Sequence, residues 1–276
     1  MKFEDILKFL EFSLNDDKNS YSVSCQSNAK PISIEIPSTY LGKPVTAIGD
    51  KAFIKCTSLK SIVIPDGVTS IGNYAFFECT FLESIVIPDS VTSIGNVAFS
   101  ECTSLKSIVI PDSVTSIGYD AFYDCTLLTS IDIPDRVTSI GDYTFSRCRS
   151  LTTIVIPDGV TSIGVGAFAY CDSLKSIVIP NSVTSIGNRP FIGCTSLTSI
   201  DIPNGVTSIG AAAFTECTSL ESIMIPDSVI MIGDYAFNKC KSLTIYAETS
   251  SKPFGWEIDW NYSNCPVVWG YTNYLF

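Results

Sequence analysis

Hydrophobic and polar positions along this chain repeat every 23 residues. One unit, from residue 56, reads CTSLKSIVIPDGVTSIGNYAFFE. Within it Leu59, Ile62 and Ile64 mark an extended segment, with Ile62 and Ile64 on one face. Pro65 lacks an amide hydrogen and ends the ladder there. The following Pro-Asp-Gly or Pro-Asp-Ser is turn chemistry. Val68-Thr69-Ser70-Ile71 predicts a second short extended piece, and Gly72 a turn. Ala75-Phe76-x-x-Cys79 suits about one helical or 3₁₀ turn.

Ile-Gly pairs begin at 48 and recur at each 23rd residue to 232; phenylalanines run likewise from 53 to 237 and cysteines from 56 to 240, nine of each. Only Cys25 and Cys265 lie off this comb. A fixed period of this length predicts a solenoid. No single unit can bury its Leu, Ile, Val, Phe and Cys alone, whereas stacked units bury them as continuous columns.

Both ends depart from the repeat. Phe3, Ile6, Leu7, Leu10 and Leu14 fall at helical spacing with charges mostly opposite, which predicts a short amphipathic helix. Such a helix would pack over the open end of the fold or serve docking or dimerisation. In the first unit, IPSTYLGKPVTAIG at 36–49, the Pro37-to-Val45 spacing is five residues longer than the Pro65-to-Val68 spacing. After Cys240 the pattern decays into a tail holding Trp256, Trp260 and Trp269. Large aromatics there suit a cap over the final coil, with an aromatic carbohydrate site as the alternative. The expected division is a cap at 1–30, the solenoid at 31–245 and an aromatic cap at 246–276.

Composition adds exclusions. The 276 residues are 46% hydrophobic and 16% charged, ample for a core. A net charge of −11 makes nucleic acid an unfavourable partner. Histidine is absent, which removes the commonest general base and metal ligand. No stretch approaches the roughly 20 apolar residues of a membrane span, so membrane insertion is not expected.

With these residues in view, the pattern L-x-x-I-x-I-P-x-x-V-x-x-I-G-x-x-A-F-x-x-C resembles the BspA-like class of leucine-rich repeats, over about residues 31 to 245. That class occurs in bacteria and some parasitic protists. The resemblance implies a curved right-handed solenoid of about nine units with a parallel sheet along its concave side. It also implies surface proteins that bind other proteins or host matrix.

Each column has a plain reading and a chemical one. The cysteines contain no C-x-x-C pair and follow the buried Ala-Phe pair, so they read as reduced structural thiols; redox or metal roles are the alternative. The rank of Asp66, Asp89, Asp112, Asp135, Asp158, Asn181, Asn204 and Asp227 serves the turn after proline, or else forms a calcium ladder. The threonine rank from Thr46 to Thr207 is β-forming, with ice binding as the remote alternative. No cofactor and no metal is expected.

Val63, Val86, Val109, Asp132, Val155, Val178, Asp201 and Met224 alternate with the buried isoleucines and face solvent. They make a semi-apolar stripe, flanked by a row of serines and Thr153. Such stripes mark interaction sites, unless valine is present only for β-propensity. The two residues after Ile-Gly and the two between Phe and Cys vary most, so the outer turn is either solvated or specific to each unit. No histidine, G-x-S-x-G elbow or glycine-rich phosphate loop is present, and a catalytic site would break the symmetry of the ranks. The expectation is a non-catalytic protein-binding module on the concave sheet. Glycan or matrix adhesion through the tail and a structural spacer are the alternatives. The lack of an evident secretion signal and the free thiols favour the cytoplasm, whereas the resemblance implies the cell surface.

Overall fold

Proline after each Ile-x-Ile segment limits the first extended piece of every unit to a few residues. In the computed structural model, which describes residues 8–26 and 30–272, these pieces pair in parallel from coil to coil. Ser33–Glu35, Ser61–Val63, Ser84–Val86 and Ser107–Val109 form one sheet of this first row. A second sheet runs from Ser130–Asp132 through Ser222–Ile225 and Thr244–Ala247 to Val267–Trp269. The register is strict, Ile108 beside Ile85 and Ile177 beside Ile200, so one face of the row is continuous isoleucine. Two-residue strands such as Ser70–Ile71 and Ser93–Ile94 build a second parallel row. The chain is therefore the expected repeat solenoid.

The outer turn differs from expectation. Among the described residues it contains no helix. Two residues of each turn are left-handed, Tyr74 at φ 57° and Glu78 at φ 56° being one pair. A helix would direct its amides back into its own turn. Here the amides of Tyr74, Phe76 and Glu78 point along the axis and donate to the carbonyls of Asn96, Ala98 and Ser100 at 2.9, 2.7 and 2.9 Å. A left-handed non-glycine residue costs roughly 1–2 kcal/mol. A third row of bonds between coils offsets that cost.

Inside, Phe53 to Phe237 form one fully buried column, each ring 5.1–5.6 Å from the next and within 10° of parallel. Hydrogen-bonded strands lie about 4.8 Å apart. The rings thus stack once per coil, at about the spacing that the strand ladders set. Asn73, Asn96 and Asn188 continue this joining at the turn: each side-chain oxygen accepts the amide of the next coil, at 2.9, 3.1 and 2.8 Å. Part of the variability after Ile-Gly is thus a structural ladder.

The N-terminal helix is corrected. Phe3, Ile6 and Leu7 lie outside the described residues, but Leu10–Leu14 is a strand, antiparallel to Tyr21–Cys25. Over so short a segment Leu10, Phe12 and Leu14 fit a period of two as well as a helix. Non-local contacts decide it: Phe12 stacks on Tyr40 at 4.1 Å and meets Tyr21 edge-on. Tyr21–Cys25 then pairs with Lys43–Ile48 and starts the second row.

One junction in that row is open. Each Ile-Gly amide donates to the preceding coil, Gly118 to Ile94 and Gly164 to Ile140, but no such bond joins Gly141 to Ile117. Likewise Thr115 donates to Thr92 and Thr161 to Thr138, with no bond from Thr138 to Thr115. The first row divides at the same junction, between Ser107–Val109 and Ser130–Asp132. The outer turn stays closed there, Phe122 donating to Thr144 at 2.9 Å.

Candidate functional site

Strand alternation that buries Ile62 and Ile64 necessarily turns Val63 outward. In the structure Val63, Val86, Val109, Val155 and Val178 are 57, 74, 73, 67 and 76% exposed. Asp132 and Asp201 are exposed in the same column, and Met224 is half-buried. In-register pairs join it in two runs along the first row, Val63–Val86–Val109 and Asp132–Val155–Val178–Asp201–Met224, on either side of the open junction. The exposed Asp66, Asp89, Asp112, Asp135 and Asp158 run beside it after each proline. The line is thus apolar with an acidic flank.

The structure extends the stripe where the repeat could not. Glu35 precedes Val63 in register, and Tyr246 and Val268 follow Met224. Tyr246 packs on Tyr271 with ring centroids 4.9 Å apart. Together with Asp201 and Met224 these rings wall a cavity of about 320 Å³. At the other end the five-residue insertion folds as a tight hairpin, Thr39–Tyr40 against Lys43–Ile48, turning through left-handed Leu41 and Gly42. It walls a cavity of about 830 Å³ with Glu35, Val63 and Asp66, and leaves Leu41 exposed. These walls belong to non-repeating segments, so periodicity gives no signal for Tyr246, Tyr271 or Leu41.

The other columns resolve by their partners. Threonine hydroxyls donate to the preceding coil, Thr69 to the Thr46 carbonyl at 3.2 Å and Thr92 to that of Thr69 at 3.2 Å. They join coils, and are not a free hydroxyl rank. Among the described residues no three of the His, Cys, Asp and Glu side chains gather closely enough to hold a metal ion. Cys79 to Cys240 are buried, and burial pushes their thiols up, Cys79 to about 12. Trp256 and Trp260 are buried, Trp260 standing edge-on to Phe237 at 5.9 Å, while the Trp256 indole donates to the Val229 carbonyl at 3.0 Å. Those two rings are covered, whereas Trp269 in the same tail is 36% exposed. On the outer turn Arg147 lies between the rings of Tyr123 and Tyr170, at 5.7 and 5.9 Å. No helix among the described residues is long and apolar enough to cross a membrane.

Comparison with known proteins agrees with this geometry. The family model described as BspA type leucine rich repeat region (6 copies) matches residues 21–152 and 138–255. A leucine-rich repeat protein from Bacteroides ovatus, solved by crystallography, is 34% identical; the match covers 95% of this chain and 70% of that one, with a TM-score of 0.85. A leucine rich repeat protein of T. pallidum is 30% identical over 77% of this chain and 88% of its own, with a TM-score of 0.56. No curated protein matches the chain.

Proposed function

Because the chain belongs to the BspA-type leucine-rich-repeat family, whose members are generally protein-interaction or adhesion modules and typically non-catalytic, we propose that it is a non-catalytic module binding a protein on the exposed face of the first-row strands. The observation that carries this reading is the stripe of five valines, each more than half exposed, three on successive first-row strands before Asp132 and two after it. Apolar side chains held in a line on a rigid sheet lose little entropy when covered, and their burial is worth about 25 cal/mol per Å². The acidic flank sets the partner's chemistry: apolar side chains beside basic ones. The walls at Leu41 and at Tyr246–Tyr271 bound the length of what fits.

The test uses the intact protein and a Val109→Lys, Val155→Lys double variant. Both valines are exposed, so the variant should fold, as circular dichroism would establish. A partner captured from extracellular or cell-surface extract by the unaltered protein, and lost by the variant, supports the reading. Equal capture by both moves the site to the outer turn, where Arg147 and its two tyrosines stand.

A further inference from the structure

The thiol column does not end where the repeat ends. Cys25 and Cys265, off the sequence comb, both stack onto it. Cys265 directs its thiol at the Cys240 carbonyl, 3.5 Å away. From Cys79 onward each thiol donates to the phenylalanine carbonyl of the preceding coil, Cys79 to Phe53 at 3.0 Å, Cys148 to Phe122 at 3.2 Å and Cys240 to Phe214 at 2.9 Å. Each is buried with its one donor satisfied.

Cys56 breaks this rule, because the element stacked before its coil is the terminal hairpin of Leu10–Leu14 and Tyr21–Cys25, which carries no comb phenylalanine. The Cys25 amide bonds the Ala52 carbonyl at 2.7 Å, which fixes the end of Tyr21–Cys25 beside the coil of Cys56. The two thiols are hydrogen-bond partners. Cys25 is half-buried, whereas Cys56 is 8% exposed. Both line one cavity of about 410 Å³, whose wall carries Lys30, Lys51 and Lys55.

This pair is chemically unequal. The bond with Cys56 draws the Cys25 thiol below its ordinary value, against burial and the Glu11 carboxylate. The same bond, and then burial, raise Cys56. A more accessible thiol whose ionisation is favoured, beside a less accessible thiol whose ionisation is opposed, is the arrangement of an attacking and a resolving cysteine.

We propose that Cys25 and Cys56 form a thiol–disulfide exchange site at the N-terminal end of the solenoid, with a low-molecular-weight disulfide as its oxidant. The Cys25 thiolate attacks one sulfur of that disulfide; its S–S bond breaks, one small thiolate leaves, and a mixed disulfide remains on Cys25. Cys56 gives its proton to the departed thiolate and attacks the Cys25 sulfur. The second small thiolate leaves and takes a proton from water, and the Cys25–Cys56 bond closes. Two protein thiols are oxidised as one small disulfide is reduced to two thiols. The product ties the terminal hairpin to the first coil. The remaining nine thiols, buried in the column, stay reduced.

The experiment exposes the folded full chain to oxidised glutathione, quenches in acid and maps the cysteines by peptide mass spectrometry without reduction. The expected result is a linked Cys25–Cys56 peptide, with the other nine thiols free. Cys56→Ser should hold a stable glutathione adduct on Cys25, and Cys25→Ser should acquire none. Recovery of all eleven thiols free would overturn the proposal. So would glutathione left on Cys25 of the unaltered protein without the cross-link, or links spread along the column. If Cys56→Ser does not fold, the map of the unaltered protein decides alone.

Discussion

The Thr144 hydroxyl reaches the carbonyl of Gly118 in the preceding coil, at 3.4 Å, and that of Gly141 in its own, at 3.0 Å. Other units place alanine, or in one case proline, at this position. A Cβ at Gly95, Gly118 or Gly164 would lie 2.4–2.6 Å from the neighbouring coil, but one at Gly141 would lie 3.5 Å from it, with the Thr144 hydroxyl nearer at 3.2 Å. The buried threonine thus wedges the second row apart, and the bonds of Gly141 and Thr138 to the preceding coil are lost. Arg136, where other units carry glycine or serine, adds to the effect. Ser90 and Ser113 each bond the preceding coil from that position, at 2.6 Å.

Amide exchange should expose this junction. The amides of Thr138 and Gly141 should exchange faster than those of Thr115, Gly118, Thr161 and Gly164. Thr144→Ala should bring them to the same protection and raise the melting temperature, since each restored bond is worth about 1 kcal/mol. Equal protection in the unaltered protein would contradict the wedge.

The phenylalanine column supports a second expectation. Phe145 is fully buried between the Phe122 and Phe168 rings, each 5.6 Å away. Phe145→Ala should cost about 3–5 kcal/mol. In a solenoid each coil touches only its neighbours, so this loss falls on the junction of two halves. Urea unfolding should become broader or biphasic, whereas the same change at an exposed valine of the stripe should leave it single.

A third concerns pH. Burial, and then the carboxylates of Glu78 and Asp124, raise the Glu101 carboxyl above its ordinary value. Its folded value exceeds its unfolded one, so the stability it contributes is full below the carboxyl range and declines as pH rises through it. Glu101→Gln should therefore raise the melting temperature at neutral pH and lose that advantage in acid. A variant equally stabilised at both would mean that the gain is not electrostatic.

The C-terminal cap gives the fourth. Trp256→Ala should cost about 3–5 kcal/mol and shift tryptophan fluorescence to the red. The indole that donates to Val229 and covers the last coil would be gone. An unchanged melting temperature would remove Trp256 from the core.

Periodicity made much of this legible. A residue repeated every 23 positions must meet its own equivalent in the next coil, so the isoleucine faces, the phenylalanine column and the exposed valines could be placed without coordinates. Tertiary structure decided whatever has no equivalent to meet. Leu10–Leu14 became a strand because Tyr21–Cys25 and Tyr40 lie beside it. Cys25 met Cys56 because a hairpin replaced a coil. Tyr246 and Tyr271 walled the stripe because the tail folds back on the last strands. The outer turn took its left-handed residues because its amides are satisfied by the next coil and not by its own. A repeat specifies the contacts that translation copies; its ends and its one wedge depend on contacts made only once.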